Sequence, residues 1–409
     1  METVIDRRPD LAVLSFGLLL TYVAAFQMFK LPAALPVMIA EYGYERAVAG
    51  AFMSVYAVAG LLLSIPVGRW IQQGHPKPVI YAGLAAMLTG NALCLHRPDS
   101  SAMMLLGRGL EGVAYTVMGV AGPVLVNGQA PPGRYPMVIS LLSLWIPIGQ
   151  VAAVLVYAAM PDEVGWHGVW WAGSLLTMGT LIWCAVIRLP GVDVPPMPTR
   201  HLSQGEGNPA AGKRPASERF LLFAVTLVFL LWTGQYYAYM TWLPQYLVEV
   251  HGFSLSASNA GYLAPVLVIV VFNIATGFLL RMGVRIGVLF SVGASLQAVA
   301  WWMIPWTDTP VYGLLSLLIY GAAAGISPTC LFGMTGMVAA RSGSTAAGFG
   351  LVMSGRNIGV LAGPILIGYL FTLSGTWNGV SPVFAAISTV TAAGAFWLAW
   401  KLKREGYYQ

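Results

Sequence analysis

Residues 101–128 read SAMMLLGRGLEGVAYTVMGVAGPVLVNG, an apolar run with two opposite charges inside it. Arg108 and Glu111 stand three residues apart, so on a helix they share one face and can pair. About 20 apolar residues suffice to span a bilayer, and this run is long enough. An ionisable pair at that depth is costly unless it faces protein or a water-filled cavity. The letters Gly107 to Gly112 also spell G-x-G-x-x-G, a dinucleotide fingerprint where a strand precedes it in a βαβ unit. A membrane-length apolar segment surrounds it instead, so the glycines are read as sites of close helix packing.

The rest of the chain has the same character. Hydrophobic residues make up 57% of the 409 and charged ones 9%, against about a quarter charged in soluble domains. Apolar segments fall at 11–38, 47–68, 78–96, 101–128, 136–160, 167–188, 220–249, 257–281, 285–305, 310–339, 345–373 and 379–400. The first is too long for a signal-peptide core and is read as an anchor that stays. With both termini in the cytoplasm, 16 of the 21 Lys and Arg fall in inside loops and tails, among them Arg69, Arg134, Arg219, Arg285 and Arg341. Only Arg46 and Arg97 fall outside. The positive-inside rule is met at every cytoplasmic connection. The net charge of +6 therefore reflects topology and gives no argument for nucleic acid.

Two stretches resemble each other: LPVMIAE (Leu35–Glu41) and LPQYLVE (Leu243–Glu249), 208 residues apart, with Gln27 matching Gln235 at that offset. Further on, Gly68 corresponds to Gly277. Parallel repeats of this kind are typical of alternating-access transporters. Between them lies 189–219, rich in Pro, Gly and charge, which reads as a cytoplasmic linker. The expected fold is an all-α polytopic membrane protein of twelve transmembrane helices, in two pseudo-symmetric six-helix bundles. These are 1–188 and 220–409.

On these features the chain resembles the major facilitator superfamily along its whole length. The family's loop after helix 2 has Gly, three residues, Asp-Arg, then Gly and basic residues; Gly68, Gly74 and Lys77 keep the pattern, and Gln72 stands where the acid is expected. The copy after helix 8, Gly277 to Arg285, lacks the acid too. Arg108 to Gly112 is similar to the family's buried-arginine motif R-x-x-x-G, and Gly359, Gly363-Pro364 and Gly368 to its bending and packing patterns. More narrowly, GRGLEGVAY, LWIPIG (Leu144–Gly149) and TWLPQYL (Thr241–Leu247) resemble the cyanate/2-nitroimidazole transporter branch. The family resemblance implies a central cavity between helices 1, 4, 7 and 10.

Four charged residues cannot be placed in loops or tails: Lys30, Arg108, Glu111 and Arg356. Each costs about 2.5–3.5 kcal/mol at a helix centre on insertion scales, so each needs a reason. Arg108 with Glu111 reads either as a structural pair or as a coupling site in which Glu111 takes a proton when cargo displaces it from Arg108. Lys30 has no acid at helical spacing; it either snorkels to the outer interface or faces the cavity and attracts an anion. Arg356 lies about 18 Å into its helix at 1.5 Å per residue. It is read as the anion anchor, since a guanidinium binds carboxylate in a bidentate fork, or else as the partner of an acid on another helix such as Glu111. Gln235, Tyr236 and Tyr239 make a polar stripe on helix 7, and Gln27 and Asn357 add further intramembrane polar groups that read as cargo contacts or as helix–helix glue.

Soluble-enzyme chemistry finds no support. There is no Walker loop, and the five His and three Cys (Cys94, Cys184, Cys330) lack metal-ligand spacing. No cofactor or metal is expected. The expectation is a monomeric secondary active transporter of a small anion in the bacterial inner membrane, working with protons or a counter-substrate. Arg356 and Arg108 would bind the anion, Lys30 would attract it, and Glu111 would handle the proton. Its rivals are a multidrug/proton exporter of the same fold and a non-transporting membrane scaffold or sensor.

Overall fold

The computed structural model describes residues 10–74, 76–129, 138, 141–161, 163–189, 216–341 and 345–407. Twelve α-helices are described: α1 (Leu11–Tyr42), α2 (Arg46–Gln72), α3 (Pro76–His96), α4 (Ser101–Gln129), α5 (Trp145–Ala158), α6 (Gly165–Val186), α7 (Ala216–His251), α8 (Leu255–Arg281), α9 (Ile286–Met303), α10 (Pro310–Arg341), α11 (Thr345–Ser374) and α12 (Trp377–Arg404). No strand occurs among the described residues. Ten of the helices are long and apolar enough to cross a membrane, and α5 and α9 are shorter apolar helices. Most of the linker, the start of the fifth apolar segment, residues 1–9, His75 and Arg134 lie outside the described residues.

The distribution of polarity is that of a chain solvated by lipid. Lys30, Arg108, Glu111, Gln27 and Asn91 are fully buried, while Leu175 and Val186 are 74% and 76% exposed. In hydrocarbon an apolar side chain gains nothing by hiding, whereas a charge must find protein partners. Helix interiors accordingly meet through small residues, which let backbones approach. Hairpin turns need the left-handed backbone that glycine adopts at little cost. The two related stretches end alike, at Gly43 and Gly252, both at φ +63°. The loops after α2 and α8 also turn on matching glycines, Gly74 at φ +86° and Gly283 at φ +87°.

By packing, the chain divides into two compact units, residues 1–30 with 62–197, and residues 31–61 with 198–409. The division falls inside α1, between Lys30 and Leu31. In the first unit Phe16, Leu20, Leu84, Met87, Met118 and Ala121 form the core. There α1 meets α4 at Gly17 and Gly122, and α3 meets α4 at Gly90 and Gly107, where a Cβ on Gly107 would lie 2.6 Å from Cys94 Sγ and 2.8 Å from the Gly90 carbonyl. The sequence G-x-G-x-x-G thus serves helix packing.

In the second unit α7 and α11 cross at Gly234, Gly359 and Gly363, and α2 meets α11 through Gly50 and Gly368. Arg46 bonds Glu249 at 2.6 Å over the ring of Phe371. Trp377 Nε1 donates to the same carboxylate at 2.8 Å.

A Cβ on Gly363 would run into the Gly234 carbonyl, whereas one on Gly179 of α6 meets nothing within 4 Å. Gly363→Ala is expected to cost about 1–3 kcal/mol, as overpacking does, and to lower the melting temperature in detergent. Gly179→Ala is expected to leave it unchanged or raise it slightly. Equal melting temperatures for the two variants would refute the close crossing.

Candidate functional site

Each unit carries its own polar centre. In the first, four helices bring together side chains that the sequence scatters over 150 residues. Glu111 on α4 receives Lys30 Nζ of α1 at 3.0 Å on Oε1 and Arg108 Nη1 at 2.5 Å on Oε2. All three side chains have no exposure. Lys30 also donates to Gln27 Oε1 at 2.6 Å and to Asn91 Oδ1 of α3, and its ammonium lies 4.4 Å from the centre of the Trp170 ring on α6. Gln27 Nε2 in turn donates to the Gly173 carbonyl at 2.7 Å and to Thr177 Oγ1 at 2.9 Å. Arg108 spends further donors on the α1 backbone, at the carbonyls of Gln27 and Met28, 3.2 and 3.1 Å away.

The physical result is one carboxylate serving two cations in a medium of low dielectric, where the attraction is strong and an unpartnered charge is costly. The pairing of Arg108 with Glu111 follows from their spacing. The snorkelling reading of Lys30 does not hold, because its ammonium is turned inward onto Glu111 and sealed by Trp170. Asn91 and Trp170 were not singled out from the sequence. Asn91 stands in an apolar run as GNALC, a signal of the same kind as Gln27, but nothing in it says which helix it faces.

In the second unit the centre is aromatic. Gln235 Oε1 on α7 accepts from Trp301 Nε1 at 2.7 Å and from the Tyr320 hydroxyl at 3.3 Å, and Gln235 Nε2 donates to the Trp232 carbonyl at 2.9 Å. Tyr239 stacks on Tyr320 with ring centres 3.5 Å apart, and Tyr236 stacks on Trp232 at 5.2 Å. The polar stripe therefore parts: Gln235 and Tyr239 meet Tyr320, while Tyr236 leads to Tyr237, ring edge to ring face at 5.4 Å.

Tyr237 is the contact to Arg356. The half-buried guanidinium donates to the Tyr237 hydroxyl at 3.0 Å and to Asn357 Oδ1 at 3.1 Å. Arg356 is the twelfth residue of α11, the depth expected from the sequence. A cavity of about 30 Å³ lies beside Tyr239 and Trp301, walled by Trp242, Tyr246 and Trp377. Its volume is about that of one water molecule, and its walls are aromatic and apolar.

A family model described as Major Facilitator Superfamily matches residues 17–349. A purine ribonucleoside efflux pump, NepI, of Shigella sonnei strain Ss046 is 21% identical over 249 residues. That match covers 61% of this chain and 60% of the relative, so the chain spans under two thirds of its length. Two solved structures share the fold. One is a bacterial homologue of the human lysosomal transporter Spinster, in an inward-facing and unoccupied conformation, with TM-score 0.71 and 16% identity over 98% of both chains. The other is the human organic anion transporter MFSD10 (TETRAN), with TM-score 0.66 and 18% identity over 95% of this chain and 99% of the other.

The shared carboxylate makes the three members of the cluster unequal. Glu111→Gln leaves two buried cations facing each other and is expected to cost about 3–5 kcal/mol, as breaking a buried pair does. Lys30→Gln leaves Arg108 paired with Glu111 and is expected to cost clearly less. Melting temperatures of the two variants decide it: an equal or larger loss for Lys30→Gln would contradict the sharing.

Proposed function

The chain belongs to the Major Facilitator Superfamily, a family of multi-pass membrane transporters and not of enzymes, and on that premise we propose that it is a secondary active carrier of a small organic or inorganic anion. The observation that carries this reading is the Glu111 carboxylate held by both Lys30 and Arg108 in a fully buried cluster. An incoming carboxylate or similar monoanion has the chemistry to replace Glu111 on Lys30. Glu111, once displaced, becomes the group that takes a proton, which couples cargo to a proton gradient; exchange against a second anion is the alternative coupling. Gln27 orients Lys30 for this step, and Arg108 keeps a cation beside Glu111.

Arg356 forms the second cationic station. Its named acceptors are the neutral oxygens of Tyr237 and Asn357, and a carboxylate offers a guanidinium a stronger, bidentate partner. Gln235, Tyr236 and Tyr239 supply the aromatic surroundings of the same unit. Alternating access follows from the family: the six-helix halves, residues 1–188 and 220–409, rock about their cargo. The positive-inside count supports cytoplasmic termini, and bacterial relatives support an inner-membrane location.

A second reading is export of a larger planar solute. The stacked pairs Tyr239–Tyr320 and Trp232–Tyr236 favour it, since ring faces recognise planar groups. The efflux pump among the relatives points the same way, whereas the resemblance of GRGLEGVAY and TWLPQYL to the cyanate/2-nitroimidazole branch favours the small anion.

Purified protein in proteoliposomes is expected to move a labelled monoanion down an imposed proton or anion gradient. Arg356→Ala is expected to abolish that flux while leaving the melting temperature within a few degrees of the parent. Flux of a ribonucleoside with none of any monoanion would replace the first reading by the second.

A further inference from the structure

Pro32 lies inside α1. A proline has no backbone N–H, and its ring crowds the carbonyl four residues earlier. That carbonyl belongs to Met28, so Met28 loses its usual helical donor at a place where hydrocarbon and packed protein offer no water to replace it. The structure shows what takes the amide's place. Arg108 Nη2 donates to the Met28 carbonyl at 3.1 Å, and Nη1 reaches the neighbouring Gln27 carbonyl at 3.2 Å. The same Nη1 also donates to Glu111 Oε2 at 2.5 Å.

We propose that Arg108 is a positioning residue that clamps a proline break in α1, and that it links this break to Glu111. Three observations meet at the same turn of helix. The carbonyls served by Arg108 are those next to the break. Lys30, one residue before Leu31, is fixed on Glu111 Oε1. The packing of α1 also changes allegiance between Lys30 and Leu31. A planar fork with several donors is suited to holding two adjacent carbonyls and a carboxylate at once, which a lysine ammonium does less well. Any change at Glu111, whether a proton or a rival anion, is then felt at the α1 backbone ahead of Pro32. That use in transport rests on the carboxylate-sharing reading above. The clamp itself needs no cargo, so the two fail separately.

The test is hydrogen–deuterium exchange of peptides covering residues 26–36 in the full-length detergent-solubilised protein, followed by mass spectrometry. Arg108→Met removes every donor but leaves Lys30 paired with Glu111, so it is expected to fold. It should speed exchange in this segment by about tenfold, the mark of a local opening. Pro32→Ala restores an amide that can bond the Met28 carbonyl. In that background Arg108→Met should change exchange by less than about twofold. Equal acceleration in both backgrounds would reduce Arg108 to a counter-ion of Glu111 and overturn the proposal, as would no acceleration in the single variant. If Arg108→Met alone yields no monodisperse protein, recovery of a monodisperse peak in Pro32→Ala/Arg108→Met supports the clamp, and failure to recover it refutes the clamp.

Discussion

A carboxylate buried between two cations constrains everything around it. Glu111 has two oxygens and gives one to Lys30 and one to Arg108. Removing Glu111 strands two cations in a medium that solvates them poorly, whereas removing either cation leaves the other paired with the carboxylate. The helices that hold them are committed as well: α1 supplies Lys30 and Gln27, α3 supplies Asn91, α4 supplies the pair, and α6 supplies the Trp170 face and the acceptors of Gln27. Such an arrangement is costly as mere scaffolding, because a well-packed apolar core of the same volume is often at least as stable. On the proposed anion-carrier reading its worth lies in being exchangeable, since an anion that replaced Glu111 would keep the charges satisfied while it rearranged their owners.

Close packing is what brings the charges within reach. Gly90 and Gly107 let α3 and α4 approach until backbone meets backbone, which sets Asn91 and Cys94 against the Glu111 side of α4. Gly173 lets α6 approach Gln27 in the same way. In lipid no hydrophobic force drives helices together, so small residues and buried hydrogen bonds carry the association. The polar cluster and the glycine contacts are therefore two parts of one device. Widening the α3–α4 contact would draw Asn91 away from Lys30, and widening the α1–α4 contact at Gly17 and Gly122 would lengthen the Lys30–Glu111 pair.

The second unit solves a different problem. Its helices meet at Gly234, Gly359 and Gly363, and its polar groups are mostly neutral: Gln235 ties Trp301 and Tyr320, and Tyr237 and Asn357 accept from Arg356. Neutral acceptors hold a guanidinium in place with less energy than a carboxylate does. The two related stretches of the chain share their turns, Gly43 with Gly252 and Gly74 with Gly283, but the centres built on them have diverged. Gln27 serves a lysine, and its counterpart Gln235 serves a tryptophan and a tyrosine.

The amino-acid sequence determined the class and the helices, because these depend on local quantities, above all apolar length against bilayer thickness. It also determined that Arg108 and Glu111 share a helix face, since three residues make nearly one turn. It could not decide where Lys30 points. The lysine's acid lies 81 residues away on another helix, and periodicity shows which side of a helix is polar but not which other helix that side meets. Asn91, Trp170 and Tyr320 escaped notice for the same reason. Only the tertiary structure chose among the partners a buried charge could take, because that choice is made by the distance between helices, which small residues far apart in the chain set together.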